Sequence, residues 1–354
     1  MGLASFDGVH WTVFDKANSD LTDNWISTVT SDGCGKVWIG TKYGGLMKFD
    51  ESRWTIYNTG NSGLPKDNVT AIVIDDSDRK WIGTYGGGLA VFDGISWDVY
   101  NTANSGLPDN GLRSLAVDSS SNIWVGTVEG GLARFDGSAW VVYTVENSVL
   151  PSNYIYDIGV DGMGNVWVGT IAGLVMFDGT DWTFCSDDFV FSLDIDKAGN
   201  VWIGTFGLAK YDGSAWTYFG SELPDFEVWS VEIDNLGNVW VGTMRGVGLY
   251  HEGGATPVHE DISPHIPSDF FLFQNYPNPF NPETTIKYTL PEASKVKIEV
   301  FNILGQVVDV LVDCKKDAGY HVIKWNGSDV SSGVYFYRIM TDNFSASRSM
   351  VLMK

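Results

Sequence analysis

Proton chemistry near neutral pH falls most readily to histidine, and this chain has five. His10 and His251 bracket a repetitive region, His259 and His265 follow it, and His321 lies well downstream. A lyase or hydrolase would need a His base and acidic metal ligands converging on one face. His10 and His251 could meet only if the repetitive region closes on itself, and a pair beside such a seam reads equally as surface. No Gly-x-Ser-x-Gly elbow, His-Glu-x-x-His pair or phosphate-binding loop occurs. Carboxylates recur in Asp-x-x-Gly-Asn turns, from Asp161 to Asn165, Asp196 to Asn200 and Asp234 to Asn238. Each turn supplies too few for calcium, whereas an Asp there can accept backbone N–H groups as an Asx turn. These residues predict no catalytic centre, no bound metal and no cofactor.

The elements that position them follow from a repeat. Trp-[Ile/Val]-Gly-Thr begins at Trp38, Trp81, Trp124, Trp167, Trp202 and Trp240, at intervals of 43, 43, 43, 35 and 38 residues. A period near 40 residues with short alternating strands is the signature of β-propeller blades, one four-stranded sheet each. The stretch before each turn Asp, such as Val69 to Ile74, reads as the inner strand. The Trp-Ile-Gly-Thr strand comes next, then Gly-Leu-x-x-Phe, and last an outer strand around Trp54, Trp97 or Trp140. Phe-Asp-Gly turns (Phe92-Asp93-Gly94, Phe135-Asp136-Gly137, Phe177-Asp178-Gly179) join the last two, with Gly free to take positive φ. The repeated Trp rings fill the wedge between neighbouring sheets. They are scaffold, so binding should reside where the copies differ.

Gly2-Leu3-Ala4-Ser5-Phe6-Asp7-Gly8 aligns with the third-strand motif, so the chain starts in mid-blade. The strand Trp11–Phe14 is expected to complete the last blade and close a six-bladed ring, removing exposed edges. Because the third-strand motif occurs at both ends, a larger propeller with residues preceding Met1 is the alternative. The propeller is assigned to residues 1–252, a Pro- and His-containing linker to 253–267, and a second unit to 268–354. Alternating runs at Thr285–Leu290, Lys295–Asn302, Gln306–Val312, Gly319–Trp325, Gly333–Thr341 and Ser345–Met353 suggest an immunoglobulin-like sandwich. The whole chain is read as all-β.

Loops entering the inner strands and loops after each Gly-Thr should open on one face near the axis. There the copies vary: Trp25, Asn68, Leu112, Tyr154 and Trp229 in the first set, and Tyr43, Tyr85, Glu129, Phe206 and Arg245 in the second. Of these, Trp25, Tyr43, Tyr85, Glu129, Tyr154, Phe206, Trp229 and Arg245 are the candidate ligand-binding residues. Aromatic rings around a shallow depression suit stacking on sugar faces or a peptide, although such rings also pack between blades.

The net charge of −22 lies mostly in residues 1–252, with 33 acidic against 13 basic side chains. Such a surface repels phosphate backbones, so neither nucleic acid nor an anionic membrane is an expected partner. Cys34, Cys185 and Cys314 have no paired spacing and read as neither a disulfide framework nor a zinc site. No stretch is apolar enough for a transmembrane helix, and the N-terminus lacks a signal peptide's basic and apolar regions.

The repeat, seen almost whole in residues 88–127, closely resembles the two-component regulator propeller repeats of periplasmic sensor domains. The streptogramin lyases of the virginiamycin type have loosely similar repeats. Residues 2–252 carry the resemblance, with nothing like a kinase, receiver or transmembrane part, so it implies a fold and not signalling. The second unit begins with Asn275-Tyr276-Pro277-Asn278-Pro279-Phe280-Asn281-Pro282 after Phe273-Gln274. It continues through Phe301-Asn302-Ile303-Leu304-Gly305-Gln306, Trp325-Asn326-Gly327 and Ser332-Gly333-Val334-Tyr335-Phe336-Tyr337-Arg338 to Ser349-Met350-Val351-Leu352-Met353-Lys354. In that order these motifs closely resemble the type A C-terminal sorting domain of the type IX (Por) secretion system, itself similar to the flagellar hook-cap immunoglobulin-like domain.

That resemblance implies export across the outer membrane of a Gram-negative bacterium of the Bacteroidota or a related lineage, with the type IX machinery as partner. The family also requires a signal peptide, which fits the expectation of residues preceding Met1. The combined reading is a secreted or surface-displayed monomeric propeller, binding a glycan, peptide or protein without catalysis. A secreted propeller enzyme and the extracytoplasmic half of a ligand sensor are the alternatives.

Overall fold

The computed structural model describes residues 2–6, 10–50, 53–219, 223, 225–251, 254–257, 269–275 and 278–354. It divides into two compact units, with the boundary between residues 259 and 260. In the first unit the repeats form six four-stranded antiparallel blades. Blade 1 comprises Ile26–Ser31, Val37–Thr41, Leu46–Asp50 and Arg53–Tyr57, and blade 2 comprises Val69–Ile74, Lys80–Thr84, Gly88–Phe92 and Trp97–Tyr100. Blade 3 is built from Leu112–Val117, Ile123–Thr127, Leu132–Phe135 and Trp140–Tyr143. Blade 4 is built from Ile155–Val160, Val166–Thr170, Gly173–Phe177 and Trp182–Ser186. Ser192–Ile195, Val201–Thr205, Gly207–Tyr211 and Trp216–Phe219 make blade 5. Val228–Ile233, Val239–Thr243, Gly246–His251 and Gly254–Pro257 make blade 6.

The repeated residues act together in each blade. The turn Asp accepts the indole N–H of the Trp six residues on, at 2.8 to 3.2 Å: Asp32 and Trp38, Asp75 and Trp81, Asp118 and Trp124, Asp161 and Trp167, Asp196 and Trp202, Asp234 and Trp240. Its other oxygen takes two backbone N–H groups of the turn, as from Ser120 and Asn122 on Asp118. Burial pushes these carboxyls up, but the hydrogen bonds outweigh it and hold all six below the usual value. In blades 1 to 5 the anchored Trp then meets the aromatic ring ending the third strand of the next blade, as Trp38 meets Phe92, Trp81 Phe135 and Trp124 Phe177. The wedge between blades 2 and 3 closes over Trp81, Leu89, Leu112, Leu115 and Phe135.

Two expectations about the ends are corrected. Trp11–Phe14 does not complete blade 6; it pairs only with Leu3–Phe6. Blade 6's outer place is already taken by Gly254–Pro257, which pairs with Gly246–His251 and lies in the stretch read as linker. Among the described residues the first unit thus holds six full blades and one two-stranded sheet.

The second unit is a sandwich of two antiparallel sheets. One orders Phe271–Leu272, Glu283–Leu290 and Gly319–Asn326; the other orders Val307–Lys316, Ser294–Asn302, Gly333–Met340 and Ser345–Leu352. Inward residues alternate along Glu283–Leu290 and Gly333–Met340, and Ile286, Val300, Tyr337, Ile339 and Met350 lie in one buried core. The fold class is therefore as expected.

Candidate functional site

The inner strands of the six blades surround a cavity of about 380 Å³, within the range of small-ligand pockets. Counting five residues back from each turn Asp gives Ser27, Thr70, Arg113, Tyr156, Phe191 and Trp229, and all six line it. Their side chains pass from hydroxyls in blades 1 and 2 through a guanidinium in blade 3 to aromatic rings in blades 4 to 6. The cavity is lined by hydroxyl side chains on one side and walled by aromatic rings on the other.

On the aromatic side, Phe191 lies 4.4 Å from Trp229 and 5.9 Å edge-on from Tyr156, measured between ring centroids. Tyr154, Phe189 and Phe206 extend the cluster. The Arg113 guanidinium sits 3.9 Å from the Tyr156 ring centroid and 5.6 Å from that of Tyr154, a cation–π arrangement. Its buried Nε has no hydrogen-bond partner among the described residues. One planar cation and two partly exposed rings therefore face one space, suited to stacking on a sugar face or a planar polar group.

The acidic side chains of the lining serve the scaffold. Asp157 accepts from Ser114 Oγ at 2.8 Å and, across the blade boundary, from the Leu193 N–H at 2.9 Å. Asp194 likewise takes the Ile233 N–H of the next blade at 2.7 Å. Burial pushes both carboxyls up, opposed by these N–H donors. Glu232 keeps access to solvent, yet the protein around it and the charges of Asp194 and Asp157 lift it to about 6. No group of three His, Cys, Asp or Glu among the described residues is placed to hold a metal, and the described lining contains no histidine.

Of the eight residues expected to bind ligand, Trp229 alone lines the cavity, while Tyr154 and Phe206 join its aromatic wall. Trp25 and Tyr43 are 56% and 66% exposed and share Lys42, whose Nζ lies 5.1 and 5.2 Å from their ring centroids. Tyr85 is exposed apart from these groups, its N–H bonded to Asn68 O. Glu129 is exposed with its backbone held by Asp109, and Arg245 faces Asp225 at 3.9 Å. The first expected set mixed registers: Trp25 and Tyr154 precede their inner strands, while Trp229 lies within one. Arg113, Tyr156 and Phe191 were missed for that reason, and the fixed distance to the turn Asp was the signal that finds them.

In the second unit the motif residues tie the lead-in segment to the last strand. Phe280 pairs with Leu352, Asn278 Oδ1 accepts the Val351 N–H at 2.7 Å, and buried Asn275 donates to Thr284 Oγ1 at 2.9 Å. Pro282 O accepts the Gly327 N–H at 2.8 Å. Gly305 takes positive φ in the turn after Asn302, and Gly333 pairs with Leu352. Tyr335 donates to Ser331 O, and Lys354 Nζ donates to Ser328 O at 2.6 Å. Pro279 follows Asn278 through a cis bond, Asn281 is exposed, and Tyr276 and Pro277 lie outside the described residues.

Residues 274–353 match the family of secretion system C-terminal sorting domains, and residues 106–129 and 149–172 match the two component regulator propeller family. The chain joins regulator-propeller repeats to a secretion-system sorting domain. Among solved structures it is similar to the extracellular domain of a hybrid two-component system from B. thetaiotaomicron, at 18% identity and TM-score 0.60 over 99% of this chain and 55% of that one. PorZ, a surface component of the type-IX secretion system of Porphyromonas gingivalis, matches at 18% identity and TM-score 0.56 over 99% and 55%. Virginiamycin B lyase from Staphylococcus aureus matches at 14% identity and TM-score 0.58 over 68% and 85%. At these identities the likeness is one of fold, and the chain spans about half the length of the first two. No curated protein matches the chain.

Proposed function

We propose that the protein is a cargo of a type IX secretion system, delivered to the cell surface or released. Its propeller binds a glycan, peptide or protein at the aromatic side of the channel and does not convert it. The sorting domain over 274–353 supports delivery. The observation that carries binding is the convergence of Arg113, Tyr156, Phe191 and Trp229 on one cavity. Asp157 and Asp194 are committed to neighbouring strands and no histidine stands in the described lining, which favours binding over a lyase-type reaction.

Deleting residues 270–354 from the gene in its host should leave the protein in the periplasm; unchanged surface delivery refutes the sorting role. On a glycan and peptide array, Trp229→Ala and Arg113→Ala should each lower retention of the bound species at least tenfold while Tyr85→Ala leaves it intact. Equal loss in all three, or turnover of the retained species, counts against the binding reading.

A further inference from the structure

In five blades the inner strand slips register with the second strand at one residue, as between Leu112 and Ser114 and between Ile155 and Asp157. Such a bulge re-aims the extra side chain. The residues at these breaks are Ser27, Thr70, Arg113, Tyr156 and Trp229, and all five line the cavity. Four are neutral. Arg113 is the one basic residue of the described lining.

That cation has no answering charge within the protein. Residues 1–252 hold 33 acidic against 13 basic side chains. Even so, Arg113 forms no ion pair among the described residues, and its buried Nε has no acceptor. Carboxylates on the elements around it are committed elsewhere. Asp109, in the loop leading to its strand, accepts the N–H groups of Gly111 and Glu129 at 2.9 and 3.0 Å. Asp157, on the next inner strand, accepts from Ser114 Oγ and the Leu193 N–H. The Tyr156 ring stands 3.9 Å from the guanidinium, so the cation is supported on one face while its outer N–H donors remain unused.

A guanidinium fork matches a carboxylate through two parallel N–H···O bonds. The surrounding charge decides what carries that carboxylate. An acidic polysaccharide brings a negative charge on every repeat and is repelled by the unit's acidic excess, and by Asp157 and Asp194 in the same lining. A neutral glycan leaves Arg113 unanswered. A chain with one terminal negative charge and a neutral or basic remainder meets both conditions.

We infer that the channel binds a peptide by its C-terminal carboxylate, an inference that rests on the binding role proposed above. Arg113 takes the carboxylate end-on through its outer nitrogens. The last side chain packs on Tyr156, Phe191 and Trp229, whose neighbouring centroids lie 5.9 and 4.4 Å apart, which selects an apolar or aromatic last residue.

The test titrates the protein with N-terminally labelled tripeptides, each of the twenty residues placed last, as free acids and as C-terminal amides, and reads fluorescence anisotropy. Acids ending in Phe, Tyr, Trp or Leu should bind at least tenfold tighter than their amides. Arg113→Gln should bring the acids down to the amides with unchanged melting, and Arg113→Lys, which keeps the charge without the fork, should restore only part. Lys in the second-last place should tighten binding and Asp weaken it, with the difference shrinking in high salt. Acids and amides bound equally, or acids indifferent to Arg113→Gln, overturn the inference; if that binding is lost in Trp229→Ala, the channel remains a binding site. Tighter binding of an oligoglucuronate than of any tripeptide acid also overturns it, because the anion then comes from a sugar. So does failure of every tripeptide to bind, while a glycan retained on the array would leave the proposed binding role standing.

Discussion

Replacing Asp118 separates the turn from the ring that it holds. Its carboxylate accepts from the Ser120 and Asn122 N–H groups, from Asn122 Nδ2 at 2.8 Å and from Trp124 Nε1 at 2.9 Å. Trp124 is 2% exposed, so Asp118→Ala leaves its indole N–H with no access to water. An unsatisfied buried donor costs about 1–3 kcal/mol. Losing the turn's solvent-facing bonds adds about 0.5–1 kcal/mol. The sum is roughly 2–4 kcal/mol, and a unit of this size melts about 2–4 °C lower per kcal/mol. Asp118→Asn keeps an oxygen for the turn but aims an NH₂ at the indole N–H, so it should fall within about 1 kcal/mol of alanine.

Acid provides a second readout. Asp118 is held below 3.8 in the fold, so it binds its proton more readily unfolded, and its stabilisation is fully present above 3.8 and lost as pH falls from there through the lower folded value. The other five turn aspartates share this direction, with Asp234 at about 2, whereas Asp157, Asp194 and Glu232 are raised and oppose it. Denaturant unfolding of wild type and both variants at pH 7 and at pH 3 tests both points. Asp118→Asn as stable as wild type at pH 7, or as acid-sensitive, would refute the reasoning.

Gly126→Ala places a Cβ 2.7 Å from Ile155 Cγ2 and should cost about 1–3 kcal/mol by overpacking, whereas Gly162→Ala, which meets nothing within 4 Å, should cost far less; equal losses in thermal melts would contradict the close approach of the strands. Ser121 holds φ near +61 in the turn where blade 4 has Gly164, so Ser121→Gly should stabilise by about 1 kcal/mol in the same melts, and destabilisation would show that the strain is absent.

The blades were legible because the turn Asp, the Trp and the following Gly form one local unit within about eight residues. Gly254–Pro257 was not, since Gly-Ala-Thr-Pro carries neither the Trp nor the Tyr of other outer strands, and pairing with Gly246–His251 alone makes it a strand. The expected closure by Trp11–Phe14 failed because the edge it was assigned to is occupied. The ligand set slipped because its members were placed by the loops entering the strands, whereas the lining residues keep a fixed distance from the turn Asp. Asp157 and Asp194 could not be read as scaffold from sequence: their partners, Leu193 and Ile233, belong to the next blade. In the sorting domain the reverse held, since Asn275, Asn278 and Phe280 act on residues that the family's motif order already fixes.

Side-chain bridges join the inner strands of blades 3 and 4, 4 and 5, and 5 and 6, so these blades depend on their neighbours as in a linear array of repeats. Between blades 2 and 3 no such bridge occurs among the described residues, where Ala71 and Val73 offer only apolar side chains. Local opening then takes blades 3 to 6 as one piece. Arg113, Tyr156, Phe191 and Trp229 stand one on each of those bridged blades, so the aromatic wall of the cavity is held as a unit while Ser27 and Thr70 face it from outside the run.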